Sequence, residues 1–423
     1  MNSITLPASK SIGARMLMTS YFAGSLRQAP RLDDCDDLKV IQAALRNLEN
    51  NAMHHGAAQA VLDIHASGTA FRFVTAAASS TPDANVIVTG TPRLCSRPMT
   101  PLLGVLRQAG AEICAQGDNG TGPYDILGHR LHGGDYEIRG DVSSQFISAL
   151  MLAAPTWEGG MRLRFTTPLV SRPYAEMTAR VMWRFGVEAT LTDEGVAVPQ
   201  SDYESPAEFR VEADWSAAGF FYEACLLGVW ENELKINGLV SPSLSLQGDA
   251  ATANVFASLG VLSVFDNAGA TLIREEGSAD SIDISLADTP DLAPALAVAC
   301  CLNGTKFRFS GVHHLRIKEC DRLTVMQTEL ARLGFALTVG EDTLTWDGAM
   351  TAPESDPLIL TYDDHRIAMS FAMAALKLGR IRIQHPEVVD KSFATFWSEL
   401  PKLGLACTEQ DGIMTVTLKN QAK

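Results

Sequence analysis

Gly140 to Pro155, Gly-Asp-Val-Ser-Ser-Gln-Phe-Ile-Ser-Ala-Leu-Met-Leu-Ala-Ala-Pro, is the stretch whose reading decides the fold. Ser143 or Ser144 supplies a helix cap, Phe146 to Ala154 an apolar helical body, and Pro155 a stop. A helix this apolar must be buried, yet its N-terminus offers two hydroxyls, an amide and free backbone N–H groups. That combination suits an anion, and we read it as a phosphate seat on a core helix.

The same arrangement recurs along the chain. Ser11, Thr69, Ser216, Asp291 and Asp364 each stand at the start of another apolar run, and with Ser144 the six markers are 58, 75, 72, 75 and 73 residues apart. Each run is followed by an amphipathic helix. Five of these end alike, at Ala109-Gly110-Ala111, Phe185-Gly186-Val187, Leu259-Gly260-Val261, Leu333-Gly334-Phe335 and Leu403-Gly404-Leu405. A glycine just past a helix accepts the left-handed conformation that closes it, and the apolar residues beyond begin a strand. The pattern predicts six copies of a β-α-β-α-β-β unit in an α/β protein, with a crossover between two domains near Glu212 to Ser216.

Composition narrows the function. With 423 residues, 46% hydrophobic and 20% charged, the chain has room for two or three cores and the balance of an ordinary globular protein. A net charge of −15 argues against nucleic acid or an anionic membrane as partner, because no basic excess exists to neutralise phosphates. Any anion must therefore meet a local concentration of base. Eight cysteines without a C-x-x-C pair suggest a reducing, cytoplasmic location. The first residues lack the basic and apolar regions of a signal peptide, and Ala293 to Leu302 is too short to span a bilayer. His54-His55 and His313-His314 are adjacent pairs whose side chains point apart, without ligand spacing to other donors, so no metal is expected.

Local base does gather at helix starts. Arg316-Ile-Lys-Glu-Cys-Asp-Arg322 puts five charges in seven residues, bounded by apolar residues that turn part of the run toward a binding site. Glu319 there is pulled two ways, by burial and by cations, as a proton carrier would be. His365 and Arg366 occupy the first turn of the sixth apolar helix, against its dipole, and Lys391 stands before Ser392-Phe393 in the same unfavourable place. A bound anion would offset that placement. Gly68 precedes Thr69 and, one turn on, Arg72, and would let a ligand approach the backbone; Arg97 lies in a loop beside a helix start. Ser171-Arg172-Pro173-Tyr174 opens another helix with more chemistry than capping needs. The acidic run Arg31 to Asp37 reads as a helix start matched to the dipole, and Gly117 to Gly122 as a hairpin connection.

Taken in order, Leu-Pro-Ala-Ser-Lys10-Ser11-x-x-x-Arg15, Ser-Gly68-Thr69-Ala-x-Arg72, Pro-Arg-x-x-x-Arg97-Pro, Val-Ser143-Ser144-Gln145, Ser171-Arg-Pro-Tyr174, Pro-Asp291, Lys318-Glu319-x-Asp321-Arg322 and Asp364-His365-Arg366 resemble the 5-enolpyruvylshikimate-3-phosphate synthase family over nearly the whole chain. The resemblance implies a two-domain inside-out α/β barrel, the enolpyruvyl transferase fold, with three copies of the unit per domain. It places the crossings near Lys10 and Asp214, giving domains 11–214 and 1–10 with 215–423, and the ligands in the cleft between them.

The resemblance also implies the roles. Ser143, Ser144 and Ser171 would hold the phosphate of shikimate 3-phosphate, with Gln145 and Tyr174 along its ring, Ser11 and Arg15 at its carboxylate, and His314 where the family commonly has an asparagine. Lys10, Gly68, Arg97, Arg322, Arg366 and Lys391 would surround phosphoenolpyruvate, whose known competitor in this family is glyphosate. Asp291 would orient or deprotonate the attacking hydroxyl, Glu319 would protonate the methylene carbon, and Lys318, assisted by His365, would stabilise the hydroxyl oxygen and the departing phosphate. No cofactor, no metal and a monomer are implied. The chain departs from the pattern at Gly13-Ala14, Ala66-Ser67, Phe73 and His314. The nearest rival, the sister enzyme acting on UDP-N-acetylglucosamine, fits Lys10-Ser11 and the serines less well, although Cys95 lies close to the loop where that enzyme carries a cysteine. A binding protein without turnover would not need Asp291 and Glu319 together.

Overall fold

The computed structural model describes residues 2–30, 32, 35–228, 233–275, 277 and 279–419. Of the acidic run 31–37, residues 31, 33 and 34 lie outside these. The chain forms two compact units, Lys10–Val211 and Met1–Ser9 with Glu212–Lys423. Lys10 and residues 212–214 thus fall on the other side of the expected crossings.

Five four-stranded sheets share one plan. In each, among the described residues, the first two strands are parallel and an antiparallel pair completes the sheet in the order first, second, fourth, third; in four of the five a buried helix joins the parallel pair. The third copy shows it: strand His132–Ile138, helix Ser144–Ala153, parallel strand Glu158–Phe165, helix Arg172–Arg184, then Thr190–Leu191 and Gly195–Val198. The five glycines predicted to close the amphipathic helices all have left-handed backbone, with φ from 75° at Gly404 to 102° at Gly110. Asp118–Gly120 joins the antiparallel strands Glu112–Ala115 and Tyr124–Leu127, as the hairpin reading expects.

Two copies depart from that plan. The fourth takes its first strand from the chain's beginning: Asn2–Thr5 pairs in parallel with Leu234–Asn237, which ties the N-terminus to the C-terminal unit. The first copy keeps only its helices, Lys10–Phe22 and Asp36–Met53, and no described residue between 23 and 59 is in a strand. Those two helices pack closely. A Cβ at Gly13 would stand 2.9 Å from Leu38 Cδ1, so the glycine is what the contact requires.

Each unit is built around its three apolar helices. In the C-terminal unit Trp215–Leu227, Ala293–Asn303 and His365–Met373 are buried over almost their whole length, with Phe220, Phe221, Leu296 and Phe371 inaccessible. Burial of each such side chain contributes roughly 1.5–3 kcal/mol. Helices so held have fixed N-termini, and the charged residues at those termini are fixed with them. No helix among the described residues is long and apolar enough to cross a membrane.

Candidate active site

In the C-terminal unit the predicted residues converge on one guanidinium. Arg322, 1% exposed, opens the helix Arg322–Arg332. Its Nε donates to Asp364 Oδ2 at 2.7 Å, Nη1 to Asp291 Oδ1 at 3.0 Å and Nη2 to Glu319 Oε2 at 2.9 Å. Arg366 Nη2 donates to the other Asp291 oxygen at 2.7 Å, and Lys391 Nζ to the other Glu319 oxygen at 2.9 Å. Asp364 also caps its helix, accepting from the Arg366 N–H at 2.9 Å. The result is an alternating chain, Lys391, Glu319, Arg322, Asp291, Arg366, anchored by Asp364.

The electrostatics follow from that order. Burial alone would raise the Asp291 carboxyl, but Arg366, Lys318 and Arg322 outweigh it and hold it well below the ordinary carboxylate range. Lys318 is lowered too, which for a cation weakens the charged form: burial lowers its ammonium and Arg322 adds to that, while Asp291 and Glu319 oppose. Asp249, whose oxygen bonds the Ser216 hydroxyl, is pushed up to about 6 by burial and by the Asp291 charge. The site therefore holds an ionised carboxylate, a weakened ammonium and a carboxyl raised to about 6.

Two histidines complete this group. His365 is buried in the first turn of its helix, with Nδ1 3.9 Å from Asp364. His314, in the short turn His313–Ile317 before Lys318, is 6% exposed, and neither ring nitrogen has a hydrogen-bond partner among the described residues. Burial and then the Lys318 charge lower its ring to about 4, so it is a neutral imidazole. Lys391 ends the turn Pro386–Lys391 and does not open a helix as expected; Glu319 holds it in place.

The N-terminal unit gathers the rest in two groups. Gly68 opens the helix Gly68–Ser79, and a Cβ there would stand 2.7 Å from Arg72 Nη1 and 2.9 Å from Arg97 Nη1. Ser67, not Thr69, caps this helix. The second group centres on the phosphate seat. Ser143 caps the helix, its hydroxyl accepting from the Gln145 N–H, and the Gln145 side chain donates to Thr69 Oγ1 at 3.1 Å. Ser171 precedes the helix Arg172–Arg184 with φ 53° and makes no side-chain cap, so plain capping does not explain it.

Arg15 is committed more deeply than its expected role suggests. Its guanidinium donates to Thr178 Oγ1, the Ser11 carbonyl, Ser148 Oγ and the Tyr174 carbonyl at 2.7 to 3.1 Å, and burial lowers it to about 10. It locks the first helix to the helix Arg172–Arg184, which carries Tyr174 and Thr178. Lys10, the first residue of that first helix, lies 3.1 Å from Asp37. Sequence reasoning assigns no site role to Arg72, Asp249 or Asp364, and the link from Asp364 to Arg322 spans 42 residues. No grouping of three potential metal ligands occurs among the described residues.

Comparison with known proteins bears on these groups. The family model for EPSP synthase (3-phosphoshikimate 1-carboxyvinyltransferase) matches residues 1–400. A 3-phosphoshikimate 1-carboxyvinyltransferase of Bacteroides fragilis is 40% identical over 404 residues, covering 95% of either chain. One of Actinobacillus pleuropneumoniae is 33% identical over 421 residues, covering 95% of this chain and 96% of its own. Among solved structures, an EPSP synthase of Acinetobacter baumannii superposes with a TM-score of 0.73 at 24% identity, over 98% of this chain and 96% of that one, a likeness of fold.

Proposed function

Because the chain belongs to the EPSP synthase family, we propose that it transfers the enolpyruvyl group of phosphoenolpyruvate to the 5-hydroxyl of shikimate 3-phosphate, a step toward aromatic amino acids. The observation that carries the residue assignment is the meeting of Lys318, Arg322, Arg366 and Lys391 around Asp291 and Glu319.

In this reading phosphoenolpyruvate brings its phosphate and carboxylate to Arg322, Arg366 and Lys391, and the family resemblance assigns Lys10, Gly68 and Arg97 to the same substrate. Shikimate 3-phosphate takes Ser143, Ser144 and Ser171 at its phosphate, Gln145 and Tyr174 along its ring, Ser11 at its carboxylate and His314 as a further contact. Arg15 contributes to the last two largely by holding the Ser11 and Tyr174 segments, since its donors already have protein acceptors.

The chemistry is an addition followed by an elimination. The 5-hydroxyl oxygen bonds to C2 of phosphoenolpyruvate as C3 gains a proton, giving a tetrahedral intermediate with a methyl group. That methyl then loses a proton, the C2–O bond to phosphate breaks, and the enol ether and inorganic phosphate result. Asp291, kept ionised by its cations, accepts the hydroxyl's hydrogen bond and draws off its proton, with Lys318 beside it. Glu319 is held by two cations, Arg322 and Lys391. When the substrate's anions claim Arg322 and Lys391, Glu319 is released to carry a proton to C3 and to take one back. The cations stabilise the developing negative charge, which is commonly the largest contribution.

No cofactor enters these steps, and one chain supplies every group named, which supports a monomer; light scattering tests that state. The net charge of −15 supports a protein without nucleic-acid or membrane partners, and the eight free cysteines support one working in the reducing cytoplasm. The assignment is tested by phosphate release from phosphoenolpyruvate with shikimate 3-phosphate, with UDP-N-acetylglucosamine, or with no acceptor. Release with shikimate 3-phosphate alone is expected. Release with the nucleotide sugar would move the chain to the sister activity, and silence throughout would leave a binding protein.

A further inference from the structure

Two consecutive residues ahead of Asp364 have left-handed backbone although neither is glycine: Tyr362 at φ 52° and Asp363 at φ 57°. Such conformations persist where the surroundings enforce them. Here the enforcement comes from Glu329, a wholly inaccessible carboxylate. Its Oε1 accepts the Tyr362 phenol at 2.8 Å and its Oε2 the Leu360 N–H at 3.1 Å, while Arg332 Nε lies 3.1 Å from it. Burial, then the Glu329 hydrogen bond, pushes the Tyr362 phenol up to about 12, so it donates at every working pH.

Glu329 and Arg322 belong to the same helix, Arg322–Arg332, seven residues and so two turns apart on one face. The helix therefore grips the 360–366 segment at two points. Glu329 holds its beginning, and Arg322 holds Asp364 at its end. Asp364 in turn caps the Arg366 N–H, and Arg366 reaches Asp291. The turn is clamped to the helix that supplies the hub arginine, and its strain is taken up by that clamp.

We infer that Glu329 and Tyr362 are positioning residues, a clamp that fixes the Thr361–Arg366 turn so that Arg366 and Arg322 face phosphoenolpyruvate as a preset pair. The inference rests on the reading that these two arginines bind that substrate. Neither residue touches substrate; each acts through Asp364 and Arg366.

The test is steady-state kinetics on Tyr362→Phe, Glu329→Gln and, as reference, Arg366→Gln, with KM for each substrate and kcat measured separately and melting temperature recorded. Tyr362 is partly exposed, so its phenylalanine variant keeps the fold if the buried Glu329 variant does not. Loosening the clamp is expected to raise KM for phosphoenolpyruvate by about ten- to a hundredfold, because small misplacements of a binding group are costly, with KM for shikimate 3-phosphate unchanged. A lowered melting temperature with both KM values unchanged in Tyr362→Phe would make the clamp a mere stabilising contact and overturn the inference. If Arg366→Gln also left KM for phosphoenolpyruvate unchanged, the reading of the arginines would fail first.

Discussion

Replacing Asp291 by asparagine separates catalysis from scaffolding. In the structure Asp291 accepts from Arg322 at 3.0 Å and Arg366 at 2.7 Å, with Lys318 acting on it as a third cation. Asparagine keeps the shape and one acceptor oxygen but removes the charge. Lys318, Arg322, Arg366 and Lys391 then face one carboxylate fewer, so the cluster becomes more positive by one unit. Near a protein surface that charge is worth roughly 3 kcal/mol at about 6 Å before screening and the loss of two charge-assisted bonds reduce it. The expected outcome is a KM for phosphoenolpyruvate unchanged or up to about tenfold lower, because the ligand is an anion. Turnover should fall by about 10²- to 10⁴-fold as the hydroxyl loses its base. Phosphate release at saturating shikimate 3-phosphate, titrated with phosphoenolpyruvate, gives both numbers. A raised KM with kcat within about threefold of wild type would refute the reasoning and reduce Asp291 to a spacer between guanidiniums. The same cations fix a pH expectation. A carboxyl held below its ordinary value stays ionised above that value, so an acid limb in kcat/KM above pH 5 belongs to another group.

Three further outcomes are expected. Glu223 lies in the core helix Trp215–Leu227 with both oxygens lacking partners among the described residues, and burial raises its carboxyl well above 4.5. The unfolded chain loses that proton first, so stability declines as pH rises from about 4.5. Glu223→Gln should remove the decline, gaining up to about 1.4 kcal/mol per pH unit over wild type in urea unfolding, and parallel pH profiles would contradict it. His314, lowered to about 4, works in the opposite sense: the unfolded chain gains a proton first as pH falls from about 6.5 to 4. His314→Asn should recover about 3 kcal/mol across that window, and an unchanged acid limb of stability would count against the burial argument. Gly68→Ala drives a Cβ toward Arg72 and Arg97, so KM for phosphoenolpyruvate should rise about tenfold with an unchanged melting temperature, and an unchanged KM would place those arginines outside the site.

The repeat was legible because burial and helix closure leave local marks. Apolar runs opening on Ser, Thr or Asp gave the core helices, and glycines 110, 186, 260, 334 and 404 gave the ends of their partners. The bare first copy also left a mark: its step of 58 residues is shorter than the others, and no glycine of that pattern closes its second helix. What stayed hidden depends on distance along the chain. The pairing of residues 2–5 with 234–237 has no local signature. Nor do the Asp364 bond to Arg322 or the four-fold commitment of Arg15, whose partners lie up to 163 residues away. Charge runs showed where base is concentrated, whereas only the folded chain shows which carboxylate each cation meets.

C3 of phosphoenolpyruvate is protonated and then deprotonated by a group held among these cations, Glu319 foremost. The most direct measurement is the reaction in deuterium oxide, with the mass of the product's vinyl methylene and the rate of phosphate release followed together for wild type and Glu319→Gln. Deuterium is expected in the methylene of the wild-type product, and a release rate about 10²- to 10⁴-fold lower in the variant. Product free of deuterium, or a variant that turns over at the wild-type rate, would contradict it.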